Sequence, residues 1–284
     1  MTADLLHLGL QGTSMKNHPQ TLPAHADDEP AVSLRVRGLT VRFGGLTAVK
    51  DLDLDVQGHG VHALIGPNGA GKSTAVNAIS GFVRASGEVR IAGRSSPAWS
   101  AHAAARAGLA RTFQNIRLFG LMTVLETVLV GSHARFGGGL LPALLRTRAA
   151  RRLEQEAVEE ARRLIRFVGL PEGAAEMVAS ALPYGHQRRV EIARALISRP
   201  AVLLLDEPMA GMNVSEKAEL EALIHEVCRS GVAILLIEHD MDVVRRLASQ
   251  VTVLCNGRKL AEGLADEVLG RPEVRAAYLG KGKS

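Results

Sequence analysis

The sequence predicts an α/β fold with a mostly parallel core sheet, an N-terminal antiparallel β subdomain and an inserted helical lobe. Three patterns indicate this arrangement. Residues 33–56 alternate apolar and polar side chains, as antiparallel strands with one solvated face do. Residues 121–180 change to helical spacing. From residue 187 onwards, short apolar runs alternate with helical segments, which is typical of parallel strands joined by helices.

Length and composition indicate a globular protein but exclude few functions. The 284 residues can form one large domain or two modest ones, and 46% hydrophobic residues can fill a sizeable core. The net charge of +5 suits an anionic ligand, a nucleic acid or an acidic membrane surface, and does not discriminate among them. Cys228 and Cys255 lack metal-ligand spacing, which fits a reduced cytosolic protein. No run approaches the ~18 apolar residues of a membrane span.

The sequence indicates a short N-terminal segment followed by one folded domain. Residues 1–31 show no periodicity, so we expect a disordered N-terminal extension or a remnant of an upstream domain. The folded domain is expected over residues 32–284, with the helical lobe at about 116–185.

The first half of the domain is predicted from alternation and from short apolar runs. Strands are predicted at 33–43, 46–56, 61–65, 87–93 and 109–113, with a helix at 101–106. In the lobe, an apolar stripe indicates a helix over Val124, Leu125, Val128 and Leu129, and residues 137–142 are a break. A long amphipathic helix is predicted at 151–168, with Glu160 among the outward residues.

The second half returns to strand and helix alternation. Strands are predicted at 201–205, 232–237 and 251–255, and helices at 187–198, 215–229, 240–248 and, as two short helices, 266–279.

A glycine-rich loop at residues 66–74 is the strongest functional signal. Strand 61–65 precedes it and helical spacing follows, which is the context of a phosphate-binding loop. Three glycines, Gly66, Gly69 and Gly71, let the backbone turn its N–H groups inward, and the following helix adds its positive end. We expect Lys72 to reach the β- and γ-phosphates and Ser73 to ligate Mg²⁺. The remaining predicted contacts to the nucleotide from this loop are Asn68, Ala70 and Thr74. The alternative is a glycine-rich turn without a ligand.

Two carboxylates follow a buried strand. Asp206 and Glu207 end the apolar run 202–205, and the carboxyl ends of parallel strands line the ligand crevice of such sheets. Asp206 can hold Mg²⁺ through water, and Glu207 can polarise an attacking water molecule. The alternative is a pair of solvated acids at the start of a helix.

At this point the ordered motifs resemble those of the ATP-binding cassette (ABC) ATPases. They are the loop at 66–74, Gln114 at a strand end, LPYGHQ at 182–187, LLLDEP at 203–208 and His239 after a strand. The resemblance spans residues 34–280 and implies a P-loop ATPase core. Four runs are further similar to ATPase subunits of branched-chain amino acid importers: RTFQNIRLF at 111–119, YGHQRR at 184–189, AGMN at 210–213 and AYLG at 277–280.

The resemblance implies functional roles for several residues that the local sequence pattern alone would not distinguish from structural residues. It assigns Phe43 to stacking on adenine, where the alternative is a core aromatic on a period-2 strand. It implies that the Gln114 side chain contacts Mg²⁺ and water, and that Gln114 marks the loop that meets the membrane subunit. Without the resemblance, Gln114 would be interpreted as a surface amide. It assigns His239 to the γ-phosphate and to orienting Glu207. Asn213 is expected at a dimer seam.

The family signature differs here from its usual form. Tyr184, Gly185 and His186 are expected to face the nucleotide of a partner subunit, but Pro183 stands where the family usually has a serine. The loss of that hydroxyl leaves backbone N–H groups and the helix N-terminus to make the phosphate contact.

The resemblance implies an ATPase that uses ATP and Mg²⁺ and works as a homodimer or heterodimer. Its implied partners are transmembrane permease subunits and, indirectly, an extracytoplasmic binding protein, with the ATPase peripheral at the cytoplasmic face of the membrane. The implied substrate is a branched-chain or related amino acid.

Three alternatives stay open at the level of sequence. The first is an ATPase subunit of lipid or lipopolysaccharide export. The second is a DNA-repair or chromosome-organising ATPase, which would carry long heptad coiled coils that are not found here. The third is a ribosome-associated ABC factor, which would need two cassettes, whereas one phosphate loop occurs. No nucleic acid is expected among the partners.

Overall fold

Two sheets form the framework in a computed structural model of the chain, which describes residues 32–96, 99–114, 116, 118, 120–132 and 148–279. The expected extension at 1–31 and the expected break at 137–142 lie outside the described residues. The strands in chain order are β1 (Val32–Phe43), β2 (Leu46–Gln57), β3 (Val61–Ile65), β4 (Ser86–Ile91), β5 (Leu109–Arg111), β6 (Val202–Asp206), β7 (Ala233–Ile237), β8 (Gln250–Cys255) and β9 (Arg258–Leu264).

The helices follow the predicted order. They are α1 (Lys72–Ile79), α2 (Ala101–Ala107), α3 (Val124–Val130), α4 (Arg148–Phe167), α5 (Tyr184–Leu196), α6 (Val214–Arg229), α7 (Met241–Leu247), α8 (Ala265–Gly270) and α9 (Pro272–Leu279). Within the described part of the chain, none of them is long and apolar enough to cross a bilayer.

The N-terminal antiparallel subdomain is a three-stranded sheet in the order β2-β1-β4. In the β1–β2 ladder Leu34 pairs with Val56 and Val36 with Leu54, so alternate side chains share one buried face. This is the alternation that the sequence predicts.

The core sheet has the order β5-β6-β7-β3-β8-β9. All neighbours are parallel except β9, which pairs antiparallel with β8 at the edge. The predicted mostly parallel sheet is therefore confirmed, and β9 is an element that the sequence interpretation missed.

Apolar side chains cover both faces of the core sheet. Along β3, Leu64 packs in a cluster with the β subdomain and α1, whereas Ala63 and Ile65 pack in a second cluster with the helices of the opposite face. Each strand at the centre is buried over its full length, as a doubly covered sheet requires. Such burial is worth about 1.5–3 kcal/mol per large side chain.

The helices differ from the prediction in their starts and in one buried acid. Helix α4 begins at Arg148, three residues before the predicted start at 151. Helix α5 begins at Tyr184, three residues before the predicted start, with Pro183 as its N-cap. Glu160 of α4, expected to point outward, is buried and pairs with Arg163 and Arg199. The lobe boundaries of about 116–185 stay a prediction, and α3 and α4 lie within them.

The topology places the carboxyl ends of β5, β6, β7 and β3 along one edge of the sheet. The glycine-rich loop follows β3, the carboxylate pair ends β6, and residues 238–239 follow β7. This edge is where ligands bind in open α/β sheets.

Candidate functional site

The glycine-rich loop turns tightly between β3 and α1. Gly66 has φ +151° and Gly71 φ +104°, values that side-chain-bearing residues rarely adopt. A Cβ at Gly66 would collide with the carbonyl oxygen of Leu254, and one at Gly71 would come within 2.7 Å of the Ala48 carbonyl oxygen. These two positions therefore require glycine, and the loop lies against β2 and the end of β8.

Lys72 is buried inside the loop that precedes it. Its Nζ donates to the carbonyl oxygens of Gly66 at 2.6 Å and Pro67 at 3.2 Å. Burial lowers the pKa of Lys72, and the charges of Glu207 and Asp206 oppose that shift. The ammonium group is thus held where a bound phosphate could replace the carbonyl partners.

The other predicted loop contacts differ in exposure. Asn68, Gly69 and Ser73 are exposed and available to a ligand, and Thr74 is half-buried. Ala70 is buried, and its amide donates to the Pro67 carbonyl oxygen at 3.1 Å, which closes the loop. The structure brings the predicted loop residues together at the N-terminus of α1.

Asp206 is held by a residue that the sequence interpretation did not single out. Arg111 Nη2 donates to Asp206 Oδ2 at 2.9 Å, and both side chains are about 90% buried. Arg111 Nη1 donates to Asn77 Oδ1 at 2.7 Å, and the guanidinium lies over the rings of Phe82 and Phe113. The available signal was the position of Arg111 in the strand before Gln114.

Glu207 adopts an uncommon backbone conformation. Its φ is +45°, in the left-handed region, which costs on the order of 1–3 kcal/mol for a non-glycine residue. Its amide donates to the Ile237 carbonyl oxygen at 2.9 Å, so the ladder between β6 and β7 continues past the strand end. The turn directs the carboxylate to a different set of partners from those of Asp206.

Those partners are two of the predicted site residues. Gln114 Nε2 donates to Glu207 Oε2 at 2.8 Å. The Nδ1 atom of His239 lies 3.8 Å from the same oxygen, and the imidazole is 62% exposed. The structure therefore brings Gln114, Glu207 and His239 to one place.

Glu238 is a second residue that sequence reasoning missed. It is 2% exposed, and its oxygens accept from the amides of Met209 at 3.4 Å and His239 at 3.2 Å. Burial raises the pKa of Glu238, and the amide N–H donors oppose the shift. This carboxylate joins the segments that follow β6 and β7.

The oxygen donors at this edge fit Mg²⁺. Ser73, Asp206 and Gln114 offer a hydroxyl, a carboxylate and an amide oxygen, all hard ligands. Among the described residues there is no cluster of three or more His, Cys, Asp or Glu side chains suited to a metal. Mg²⁺ ordinarily takes one or two carboxylates together with waters and substrate phosphates, so a sparse protein donor set agrees with it.

Phe43 lies at the surface. It is the last residue of β1 and is 51% exposed, so the interpretation as a core aromatic is wrong. An exposed ring at a strand end is free to stack on a base.

The signature residues form the first turn of α5. Tyr184 is exposed, Gly185 is buried and His186 is half-buried. A Cβ at Gly185 would lie 3.1 Å from Glu216 Oε1. Glu216 and Asn213 form a capping box at the start of α6, so the signature contacts the turn that contains Asn213.

Comparisons with known proteins agree with this geometry. A profile of the family described as ABC transporter matches residues 49–210, and one described as branched-chain amino acid ATP-binding cassette transporter matches residues 258–284. The chain is 44% identical over 250 residues to the high-affinity branched-chain amino acid transport ATP-binding protein BraF of Pseudomonas aeruginosa. It is 42% identical to LivG of Escherichia coli, which bears the same description. Each alignment covers 87% of this chain and 98% of the relative.

Solved structures give the same result. The crystal structure of a nucleotide-free ATP-binding cassette from an ABC transporter superposes with a TM-score of 0.76 at 30% identity, over 89% of this chain and all of that one. The crystal structure of the ADP conformation of an ATP-binding cassette of an ABC transporter superposes with a TM-score of 0.76 at 31% identity, over 88% of this chain and 99% of that one. The predicted fold and family are confirmed: the chain belongs to the ABC transporter family, as an ATP-binding subunit that hydrolyses ATP to power transport.

Proposed function

We propose that this subunit powers the import of branched-chain or related amino acids. The observation that carries the proposal is the similarity to BraF and LivG over nearly their whole length, together with the match at residues 258–284. The second match is informative because it lies outside the catalytic motifs common to all ABC ATPases.

In the proposed mechanism, the chain acts as a dimer with an identical or related subunit. ATP lies on the phosphate loop of one subunit with adenine against Phe43. Tyr184, Gly185 and His186 of the other subunit face the γ-phosphate, and Asn213 lies at the seam. The exposure of Phe43 and Tyr184 supports this assignment.

Within one site, Lys72 and the N-terminus of α1 neutralise the phosphate charge. Glu207 positions the attacking water and accepts its proton, while Gln114 and His239 orient Glu207 and the γ-phosphate. Ser73, Asp206 and Gln114 would hold Mg²⁺, which neutralises developing charge on the phosphates when bound. The contacts among Gln114, Glu207 and His239 support these roles.

The proposed partners are two permease subunits, which hold the ATPase at the cytoplasmic face of the membrane near Gln114. An extracytoplasmic binding protein delivers the amino acid to the permeases and does not touch this chain.

Uptake in the source organism tests the proposal. Deleting the gene should abolish high-affinity uptake of labelled leucine, isoleucine and valine, and a plasmid copy should restore it. A plasmid copy with Glu207→Gln should not restore it. Normal uptake of all three amino acids in the deletion strain, with loss of a chemically unrelated substrate, would overturn the assignment.

A further inference from the structure

Arg188, one turn into α5, is the largest fully buried side chain in the described part of the chain, with 0% exposure. Its Nη1 donates to the carbonyl oxygen of Phe113 at 2.7 Å, and its Nη2 donates to the carbonyl oxygen of Gln114 at 2.8 Å. Nη1 also donates to Glu191 Oε2 at 2.7 Å. A single guanidinium thus joins the signature helix to two consecutive residues of the segment after β5.

That segment carries the side chain that contacts the proposed base. Just past β5, the Thr112 amide donates to the Leu204 carbonyl oxygen of β6 at 3.0 Å. Arg188 donates to the carbonyl oxygens of the next two residues, Phe113 and Gln114. The side-chain amide of Gln114 in turn donates to Glu207 Oε2. Arg188 therefore binds the backbone of the segment from which the Gln114 side chain contacts Glu207.

The buried charge is compensated inside α5. Glu191 is also fully buried and accepts from Arg194 Nη2 at 3.3 Å in addition to Arg188. Arg188 Nε has no hydrogen-bond partner among the described residues. A buried ion pair is weak evidence for stability alone, because desolvation offsets most of its attraction. The two bonds to carbonyl oxygens outside α5 indicate a positioning role.

We propose that Arg188 is a positioning residue for ATP hydrolysis: it fixes the Gln114 segment so that Gln114 orients Glu207. The residue lies on the same helix as the signature, so the element that faces the partner's nucleotide also sets the geometry of its own subunit's base. The proposal rests on the proposed roles of Gln114 and Glu207.

Arg189 is a matched control on the next position of α5. It also donates to two carbonyl oxygens, those of Val168 and Gly169 at 3.2 Å each, and pairs with the carboxylate of Glu219. These partners lie at the end of α4 and on α6, not on the Gln114 segment. Arg189→Lys removes a similar set of contacts without touching that segment.

A double-mutant cycle tests the proposal in the assembled transporter. Arg188→Lys and Arg189→Lys are made singly and with Gln114→Ala, and kcat, KM for ATP and Tm are measured. A lysine keeps the positive charge but lacks the planar guanidinium that donates to two carbonyl oxygens at once. We expect Arg188→Lys to lower kcat about tenfold to a hundredfold with KM within about twofold, as for a misplaced catalytic group.

The decisive result is non-additivity. Arg188→Lys should lower kcat no further in the Gln114→Ala background, because residues that act through one group do not add. Arg189→Lys should produce the same fold-change in either background. If Arg188→Lys multiplies the loss caused by Gln114→Ala, Arg188 does not act through Gln114 and the proposal is wrong.

Two further outcomes are informative. If Arg188→Lys fails to fold, the pair Arg188→Gln and Glu191→Gln, which removes both buried charges, enters the same cycle with the same expectation. If Gln114→Ala alone leaves kcat unchanged, the proposed role of Gln114 fails, and the inference about Arg188 fails with it.

Discussion

Gln114 Nε2 and Glu207 Oε2 lie 2.8 Å apart and form a hydrogen bond between the segment after β5 and the end of β6. Glu207 has a positive φ, which directs its carboxylate away from Asp206. Glu207 is therefore oriented by its backbone and by a neutral donor.

Lys72→Ala should weaken MgATP binding strongly. Lys72 is buried, and truncating one partner of a desolvated charge pair typically costs 2–5 kcal/mol. We expect Kd to rise by at least about thirtyfold in a fluorescent-nucleotide titration. Lys50→Ala, an exposed position on β2, is the control and should bind like the parent. Parental binding by Lys72→Ala would disprove the phosphate-loop assignment.

Gly185→Asp should abolish ATP hydrolysis by the assembled transporter. The new carboxylate would lie against Glu216 and repel the partner's phosphate. Gly185→Ala places an uncharged Cβ 3.1 Å from Oε1 of Glu216, whose other carboxylate oxygen accepts from the Asn213 amide. The Glu216 carboxylate would have to move by only a few tenths of an ångström, so this variant should retain most activity. Nucleotide binding by the isolated Gly185→Asp chain should survive, because in the proposed dimer the signature faces the partner's ATP.

Pro183→Ser should change turnover only modestly. Pro183 is the N-cap of α5 and has no N–H. In the proposed dimer the helix N-terminus and its backbone N–H groups would therefore make the phosphate contact with or without a hydroxyl. Steady-state ATPase assays of the transporter measure this. An inactive Pro183→Ser variant would show that the signature works differently.

His62 should make stability fall in mild acid. It is 4% exposed and its Nε2 lies 2.8 Å from Thr252 Oγ1. Burial lowers the pKa of His62 from 6.5 to about 4. Below pH 6.5 the unfolded chain therefore binds a proton that the folded chain does not, so stability is lost as pH falls towards 4.

Urea unfolding at pH 7.5 and 5.0 measures this contribution. At about 1.4 kcal/mol per pH unit, His62 should account for a loss of about 2 kcal/mol between these values. His62→Gln keeps a polar group facing Thr252 but does not titrate, so its loss should be smaller by that amount. An equal loss in both proteins would contradict the assignment.

Much of the fold follows from local patterns. The alternation in β1 and β2 and the continuous apolar runs of β3, β6 and β7 predict their burial directly. Strand β9 was missed because one of its seven residues, Ala261, is buried, and its pairing with β8 is visible only in three dimensions.

The burial of charged residues could not be predicted from the sequence. Arg188 and Glu191 look like the solvated face of a helix, and their burial depends on carbonyl groups some seventy-five residues earlier. Glu160 was misplaced because its burial depends on ion pairs with Arg163 and with the distant Arg199. The positive φ of Glu207 likewise depends on the ladder to Ile237, which no local pattern encodes.

The central claim is that Glu207 is the general base of a dimer that closes on ATP. The trapping of a closed dimer by Glu207→Gln tests this claim most directly. The amide keeps the shape of Glu207 but cannot accept a proton, so turnover should fall by about 10²–10⁴ while ATP binding persists. Light scattering after size exclusion with MgATP should show the doubled mass, and without nucleotide the monomer. Parental turnover by this variant would contradict the account, and so would ATP binding without dimerisation both by this chain alone and by its mixture with the related subunit.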